Sequence, residues 1–378
     1  MPTLRQEASG VVTKTRKSNR EVAETLEGLA DVVVKAAKKG EDPQIDIPVR
    51  ALSNVEFNSR KRIIEMGEST TARTFFNLGM AKKFMQTMLV ADAMKVLQQD
   101  DISSSLREIY YRTKHTLEDS NENTFDDQDE SDPIIEDLEV TLELLREELH
   151  VRAAEAGSIV GPVTLVEGGD VIDCTKQGKA GKTVPSIVEP GEVDIKRVSA
   201  DFVLLIEKGT QFNRLSEDKF WKKHNCILLT GNGQPPRGVR RLACRLHEDH
   251  KLPILVLVDN DPWGYYIYSV IKQGSINLAF ESQRMAIPDA KFIGLSSFDP
   301  EKHDLPRNVG IKLNPNDVRR AKELRNYPWF QKKEWQKEIN NMLASELKYE
   351  LDALANKDFR YLTTDYLPRK LKEKDWLD

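Results

Sequence analysis

Two groups of residues in this chain have the types and spacing to do chemistry. Tyr110 and Tyr111 stand side by side at the end of the stretch 103–111. Glu207 closes an apolar run that begins at Asp201, and the triplet Asp259-Asn260-Asp261 closes a second run that begins at Leu252. A phenol is a weak nucleophile at neutral pH, with a pKa near ~10, and needs a cation, a base or a metal beside it. Clustered carboxylates suit Mg²⁺, which takes oxygen ligands and keeps places for water or substrate phosphate. There the ion polarises a phosphoryl oxygen and offsets negative charge at the reacting phosphate. A nucleophilic tyrosine and such a site together point to cutting and rejoining DNA through a phosphotyrosine.

Each group also has a plain structural explanation. An Asp after a strand is commonly the N-cap of the next helix. A Tyr-Tyr pair in a helix is commonly core. What separates the alternatives is position. The runs 201–207 and 252–259 are continuous in Val, Ile and Leu, the mark of strands buried on both faces of a parallel sheet. Ligand sites of open α/β sheets lie beyond the carboxyl ends of such strands, where both acid clusters fall. Asp259 and Asp261 are two residues apart, so an extended backbone points both carboxylates the same way. Ser105 and Glu108 have capping-box spacing, which places the tyrosines in a helix. Helical neighbours point about 100° apart, so one tyrosine faces a phosphate while the other packs. Arg107, one turn earlier, is placed to stabilise the phenolate or the phosphate.

The surrounding elements follow from periodicity. Residues 19–39 predict an amphipathic helix with Val22, Leu26, Leu29 and Val33 on one stripe and Gly40 as its stop. Phe76, Met80, Phe84 and Met88 recur every fourth residue, as on one buried helix face. Asp132 as N-cap and Pro133 at the first helical position predict a helix carrying Ile134, Leu138, Leu145 and Leu149. Its exposed acids make it a poor reader of the major groove. Residues 157–197, rich in Gly, Val and Pro, read as short strands and turns. A charged helix is expected from about Trp329 to Asn356. The segment 178–183 is not a phosphate-binding loop, because Lys176 stands where that motif needs glycine. The six histidines show no metal-ligand spacing, and His247 and His250 are read as structural.

Composition narrows the class. With 39% hydrophobic and 31% charged residues in 378, the chain suits a soluble protein of two or three domains. No run approaches the ~20 apolar residues of a membrane span. The opening residues lack the apolar core of a signal peptide. Cys174, Cys226 and Cys244 fit neither a disulfide framework nor a zinc site, which suits a reducing cytoplasm. The net charge of −5 is unevenly spread. Residues 118–148 hold fourteen acids against one base, while residues 208–251 hold ten Lys or Arg against four acids. DNA phosphates are expected to approach the second region.

Taken together, these segments resemble the A subunit of type IIB DNA topoisomerase (topoisomerase VI) and its relative, the meiotic double-strand-break transesterase. The stretch Leu106-Arg107-Glu108-Ile109-Tyr110-Tyr111 is similar to that family's catalytic tyrosine motif. Ile206-Glu207-Lys208 and residues 258–264 resemble its Toprim metal motifs, and residues 230–241 resemble the glycine-and-arginine loop between them. Pro288-Asp289-Ala290 through Gly294 and Asp365-Tyr366-Leu367-Pro368 also fit, so the likeness runs from about Ile47 to Leu371. Val239 stands where threonine is expected, and Asn260 where a small residue is more usual.

The resemblance implies an α/β multidomain fold. An N-terminal helical partner-docking segment (1–69) precedes a winged-helix, CAP-like domain (70–156) with the catalytic tyrosine. A Toprim domain with a mostly parallel sheet (157–378) follows, its β-rich connector at 157–197. Tyr111 is the implied nucleophile, assisted by Arg107 and forming a 5′-phosphotyrosine. Glu207, Asp259 and Asp261 are the implied Mg²⁺ ligands, and Arg240, Arg241 and Lys208 the implied DNA contacts. The implied partners are double-stranded DNA, a second copy of the chain, and an ATPase B subunit in an A2B2 assembly. ATP is bound and used by that ATPase, not by this chain. The expected location is cytoplasmic, on the nucleoid. Three functions remain: a DNA topoisomerase, a break-forming transesterase without regular resealing, and a Toprim-type metal nuclease or non-catalytic DNA binder.

Overall fold

A computed structural model describes residues 17–378, together with the backbone of two short strands, Arg5–Gln6 and Val12–Thr13. The opening residues considered for a signal peptide, and the start of the 1–69 segment, lie outside the described residues. The chain forms two compact units, residues 17–54 with 66–154, and residues 55–65 with 155–378. This division differs from the one drawn along the sequence. The segment up to 54 belongs with the tyrosine-bearing unit, and residues 55–65 belong with the other.

In the first unit, the helix Asn19–Lys39 opens on a capping box at Ser18 and Glu21 and ends at left-handed Gly40. Its predicted stripe is real, and Val22, Leu26 and Leu29 are buried in the unit's own core. The strands Gln44–Pro48 and Thr70–Thr74 pair antiparallel. The helix Leu78–Asp100 follows, burying Phe84, Val90, Met94 and Leu97. Phe76 precedes that helix and is exposed, so the fourfold spacing overran its start.

The acidic helix spans Gln128–Thr141, five residues earlier than the Asp132–Pro133 signal indicated. Asp127 caps it by accepting from Asp129 N, and Pro133 sits inside it. Leu145 and Leu149 lie in the turns beyond it. Not all its acids are exposed. Asp137 accepts from Arg50 and Arg73, and buried Glu139 pairs with Arg146 at 3.2 Å. Arginines from elsewhere in the unit thus neutralise part of a run that carries one arginine of its own.

The second unit is built on a six-stranded sheet. Its order is Lys182–Thr183, Ser158–Val160, Cys226–Thr230, Phe202–Ile206, Ile254–Leu257, Lys291–Gly294. The last four strands are mutually parallel, and Ser158–Val160 runs antiparallel to both of its neighbours. Alternate residues of Phe202–Ile206 face opposite cores. Val203 and Leu205 join one cluster, and Leu204 and Ile206 join the other. Both faces are therefore dry, which is why the strands read as unbroken apolar runs. The connector supplies an antiparallel three-stranded sheet, Asp170–Asp173, Val163–Glu167 and Val193–Val198. The charged helix expected at 329–356 is only Lys333–Ser345. It lies between a 3₁₀ turn, Pro328–Phe330, and the short strand Leu347–Lys348. No helix among the described residues is long and apolar enough to cross a membrane.

A buried charge cluster crosses this unit. Glu189 receives a bidentate pair from Arg241 (2.6 and 3.0 Å) and a third bond from Arg284 (2.7 Å). Glu281 takes Arg284 (2.9 Å) and Arg237 (2.7 Å). Burial works against the Glu189 charge, but the arginines overcome it and hold its pKa down at about 2. Removing one partner of a buried pair leaves the other charge uncompensated, at about 3–5 kcal/mol. Glu189→Gln is therefore expected to destabilise the protein by about 3 kcal/mol in neutral denaturant titrations. Because the folded-state pKa is depressed, the wild-type advantage is complete above the ordinary value of 4.5 and fades as pH falls toward about 2. A variant as stable as wild type at pH 7 would refute the assignment.

Candidate active site

The two tyrosines occupy different environments. Ser105 accepts from Glu108 N, and the Glu108 carboxylate accepts from Ser105 N, so the predicted capping box opens the helix Leu106–Thr113. Tyr110 is turned inward. It is 8% exposed, donates to Asp126 O (3.0 Å) and accepts from Lys114 Nζ (2.7 Å). Tyr111 is 59% exposed. Its hydroxyl accepts from Arg107 Nη2 at 3.4 Å, and the guanidinium lies 5.6 Å from its ring centre. The helical turn of about 100° per residue produces this split. One phenol is held by packing. The other stands in solvent with a cation one turn away.

In the second unit the sheet register delivers the acids. Ile206 pairs with Thr230 on one side and Leu257 on the other, so Glu207 and Asp259 emerge at the same end of neighbouring strands. Glu207 Oε2 accepts from Asp259 N at 3.1 Å. Asp259 Oδ1 accepts from Leu351 N (2.7 Å), and Oδ2 faces Lys208 Nζ (3.1 Å). Asp261 is also a helix N-cap: it accepts from Gly264 N at 2.6 Å and opens the helix Pro262–Gln273. Gly264 must be glycine, because a Cβ there would strike the Asp259 carbonyl.

The acids are costly to keep charged. Burial first, then the charge of Asp259, pushes Glu207 up to about 7. Burial raises Asp259 to about 6 despite its bonds to Leu351 and Lys208, and burial also raises Asp261. Among the described residues no three acidic, histidine or cysteine side chains converge on a single point. Lys208 supplies the positive charge instead. It reaches Glu350 and Asp352 (2.8 Å each) as well as Asp259. Burial opposes its charge, but the hydrogen bonds it donates to Asp352 and Glu350 raise its pKa above the usual lysine range. Carboxylates gathered at neighbouring strand ends are hard-oxygen donors, the ligand type that suits a divalent cation.

Arg240 and Arg241 lie in the interior. Expected on a DNA-facing surface, they are 3% and 2% exposed. Arg241 is committed to Glu189, and Arg240 lies against Met285 Sδ, its pKa lowered by burial to about 10. Both sit on the helix Arg237–His250, whose inner face packs on the sheet. His247 is structural as expected, its Nδ1 2.8 Å from Leu252 O. Glu350 and Asp352 were missed. Their acid-x-acid spacing is visible, but they stand 142 and 144 residues from Lys208, inside a segment read as helix.

A unit with a mostly parallel sheet and acids at its strand ends thus stands in one chain with a helix that presents an exposed tyrosine. The Toprim-domain family of topoisomerase 6 A subunits and Spo11 matches residues 202–371, and the family "Type IIB DNA topoisomerase" matches residues 82–151. The A subunit of type 2 DNA topoisomerase 6 from Pyrococcus horikoshii is 43% identical over 94% of this chain and 94% of its own length. The protein of the same name from Saccharolobus shibatae is 39% identical over 96% and 97%. The A3 subunit of DNA topoisomerase 6 from Oryza sativa subsp. indica is 32% identical over 98% and 82%. The chain belongs to the family of topoisomerase 6 A subunits and Spo11, the type IIB DNA topoisomerases. Toprim domains generally bind divalent metal, in keeping with the donor set at 207–261.

The two tyrosines should separate in stability. Tyr110→Phe loses hydrogen bonds to Asp126 and Lys114 and is expected to cost about 1 kcal/mol in chemical denaturation. Tyr111→Phe is expected to stay within about 0.5 kcal/mol of wild type, as for surface substitutions generally. Equal losses would mean that both rings are core.

Proposed function

We propose that this chain is the DNA-cleaving and rejoining subunit of an ATP-dependent type IIB topoisomerase, with Tyr111 as nucleophile. The observation that carries the reading is the contrast between the two phenols. Tyr111 is exposed with Arg107 at its hydroxyl, while Tyr110 is enclosed. The Tyr111 oxygen attacks a backbone phosphorus of duplex DNA. An O–P ester forms to the tyrosine, the bond from phosphorus to the 3′ oxygen breaks, and that oxygen leaves as a hydroxyl. The phenolic proton passes to solvent or to the departing oxygen. Arg107 stabilises negative charge on the phenolate and the phosphate. The ester conserves the energy of the broken bond, so return attack by the 3′ hydroxyl reseals the strand without external energy.

Glu207, Asp259 and Asp261 would hold Mg²⁺, which when bound supplies charge neutralisation at a phosphoryl oxygen. Lys208 already balances these acids, and it stands where DNA phosphate would meet the strand ends. One tyrosine opens one strand, so a double-strand break takes two copies of the chain about a two-fold axis. Strand passage requires an ATPase partner, giving an A2B2 assembly.

The test combines this protein, its ATPase partner, Mg²⁺, ATP and supercoiled plasmid, quenched with detergent. Linear DNA with protein joined to its 5′ ends is expected from wild type and is expected to vanish with Tyr111→Phe. Asp259→Ala is expected to abolish the same Mg²⁺-dependent product. Free linear ends from both wild type and Tyr111→Phe would instead identify a metal nuclease. Adduct without relaxation in repeated cycles would identify a break-forming transesterase.

A further inference from the structure

The acidic triplet is held from below by a carboxylate distant in sequence. Glu338, on the helix Lys333–Ser345, is 4% exposed. Its Oε2 accepts from Tyr265 Oη (3.1 Å) and Ser297 N (2.7 Å), and its Oε1 accepts from Ser296 Oγ (2.7 Å). The Tyr265 hydroxyl also lies 3.0 Å from Asn260 Oδ1, so its one proton is shared between Asn260 and Glu338. Asn260 is 1% exposed and stands between the two aspartates. Its backbone is fastened as well, with Asn260 N donating to Tyr349 O (2.9 Å) and Tyr349 N donating to Asn260 O (3.0 Å).

Packing alone does not call for this arrangement. An apolar residue of similar volume fills a core position without the desolvation cost of a carboxylate. What the carboxylate adds is direction, because three donors from two elements meet at one group. Asn260 cannot turn without breaking its bond to Tyr265. Asp259 and Asp261 flank it, so anchoring Asn260 on its side chain and on its backbone fixes the stretch of chain from which both carboxylates project. Asn260, the residue that departs from the usual small one, is thus a tie in this chain and not a ligand.

From this geometry we infer that Glu338 is a positioning residue for the Asp259–Asp261 site, acting through Tyr265 and Asn260 on the backbone that carries the two carboxylates. The inference rests on the reading of that site as a divalent-cation site. Outer partners of ligating groups typically contribute about 10- to 100-fold to metal affinity.

The experiment measures Mg²⁺ binding to the full chain by calorimetry, and the Mg²⁺ dependence of cleavage with the ATPase partner present. Wild type, Asp259→Ala, Glu338→Gln and Tyr265→Phe are compared, with thermal unfolding recorded for each. Tyr265→Phe removes a single hydroxyl, and it carries the test should Glu338→Gln fail to fold. Expected is a dissociation constant for Mg²⁺ raised about 10-fold in either folded variant. Cleavage should recover at high Mg²⁺, and a variant carrying both Glu338→Gln and Tyr265→Phe should do no worse than either alone. Folded variants that bind Mg²⁺ as wild type does would overturn the inference alone. Wild type binding Mg²⁺ no better than Asp259→Ala would overturn the cation-site reading, and the inference with it.

Discussion

Carboxylates brought together at the end of a buried sheet repel one another and lose their water, and the second unit is organised around that cost. Both effects appear in the raised protonation of Glu207 and Asp259. The register that causes the crowding is set by apolar strands with dry faces on both sides, so the sheet cannot slip to relieve it. Relief comes from groups outside the strands: the Lys208 ammonium, the Leu351 amide and the Gly264 amide at the next helix N-terminus.

The first unit does the opposite and leaves a phenol in the open. A helix of eight residues carries two adjacent phenols and can bury only one of them. Lys114 and Asp126 claim Tyr110, and Arg107 is left to Tyr111. In the acidic segment beside this helix, Arg50, Arg73 and Arg146 neutralise the acids of the inner side.

Arginine is used in both units to satisfy buried acids, and this bears on how a basic stretch is interpreted. Residues 208–251 look like a phosphate-binding surface when charges are counted. Yet Arg240, Arg241 and Arg245 are all buried, and Arg245 donates to the carbonyls of Val188 and Val193. Counting charges along a helix does not show which face carries them. The helix Arg237–His250 turns its arginines inward because the connector strand and Glu189 provide acceptors there.

What the sequence determined by itself was local. The helix Asn19–Lys39, its cap and its stop were legible, as were the capping box at Ser105 and the strand ends at Glu207 and Asp259. Each depends on periodicity or on hydrogen bonds spanning a few residues. The sequence was less reliable where two local signals competed: Asp132 with Pro133 masked the true cap at Asp127, and fourfold spacing carried a helix back to Phe76. Only the tertiary structure decided which tyrosine is exposed, that Arg240 and Arg241 are interior, and that Lys208 and Leu351 meet Asp259. Those outcomes turn on partners that packing brings together from as far as 144 residues apart, and no pattern within a helix or strand encodes them.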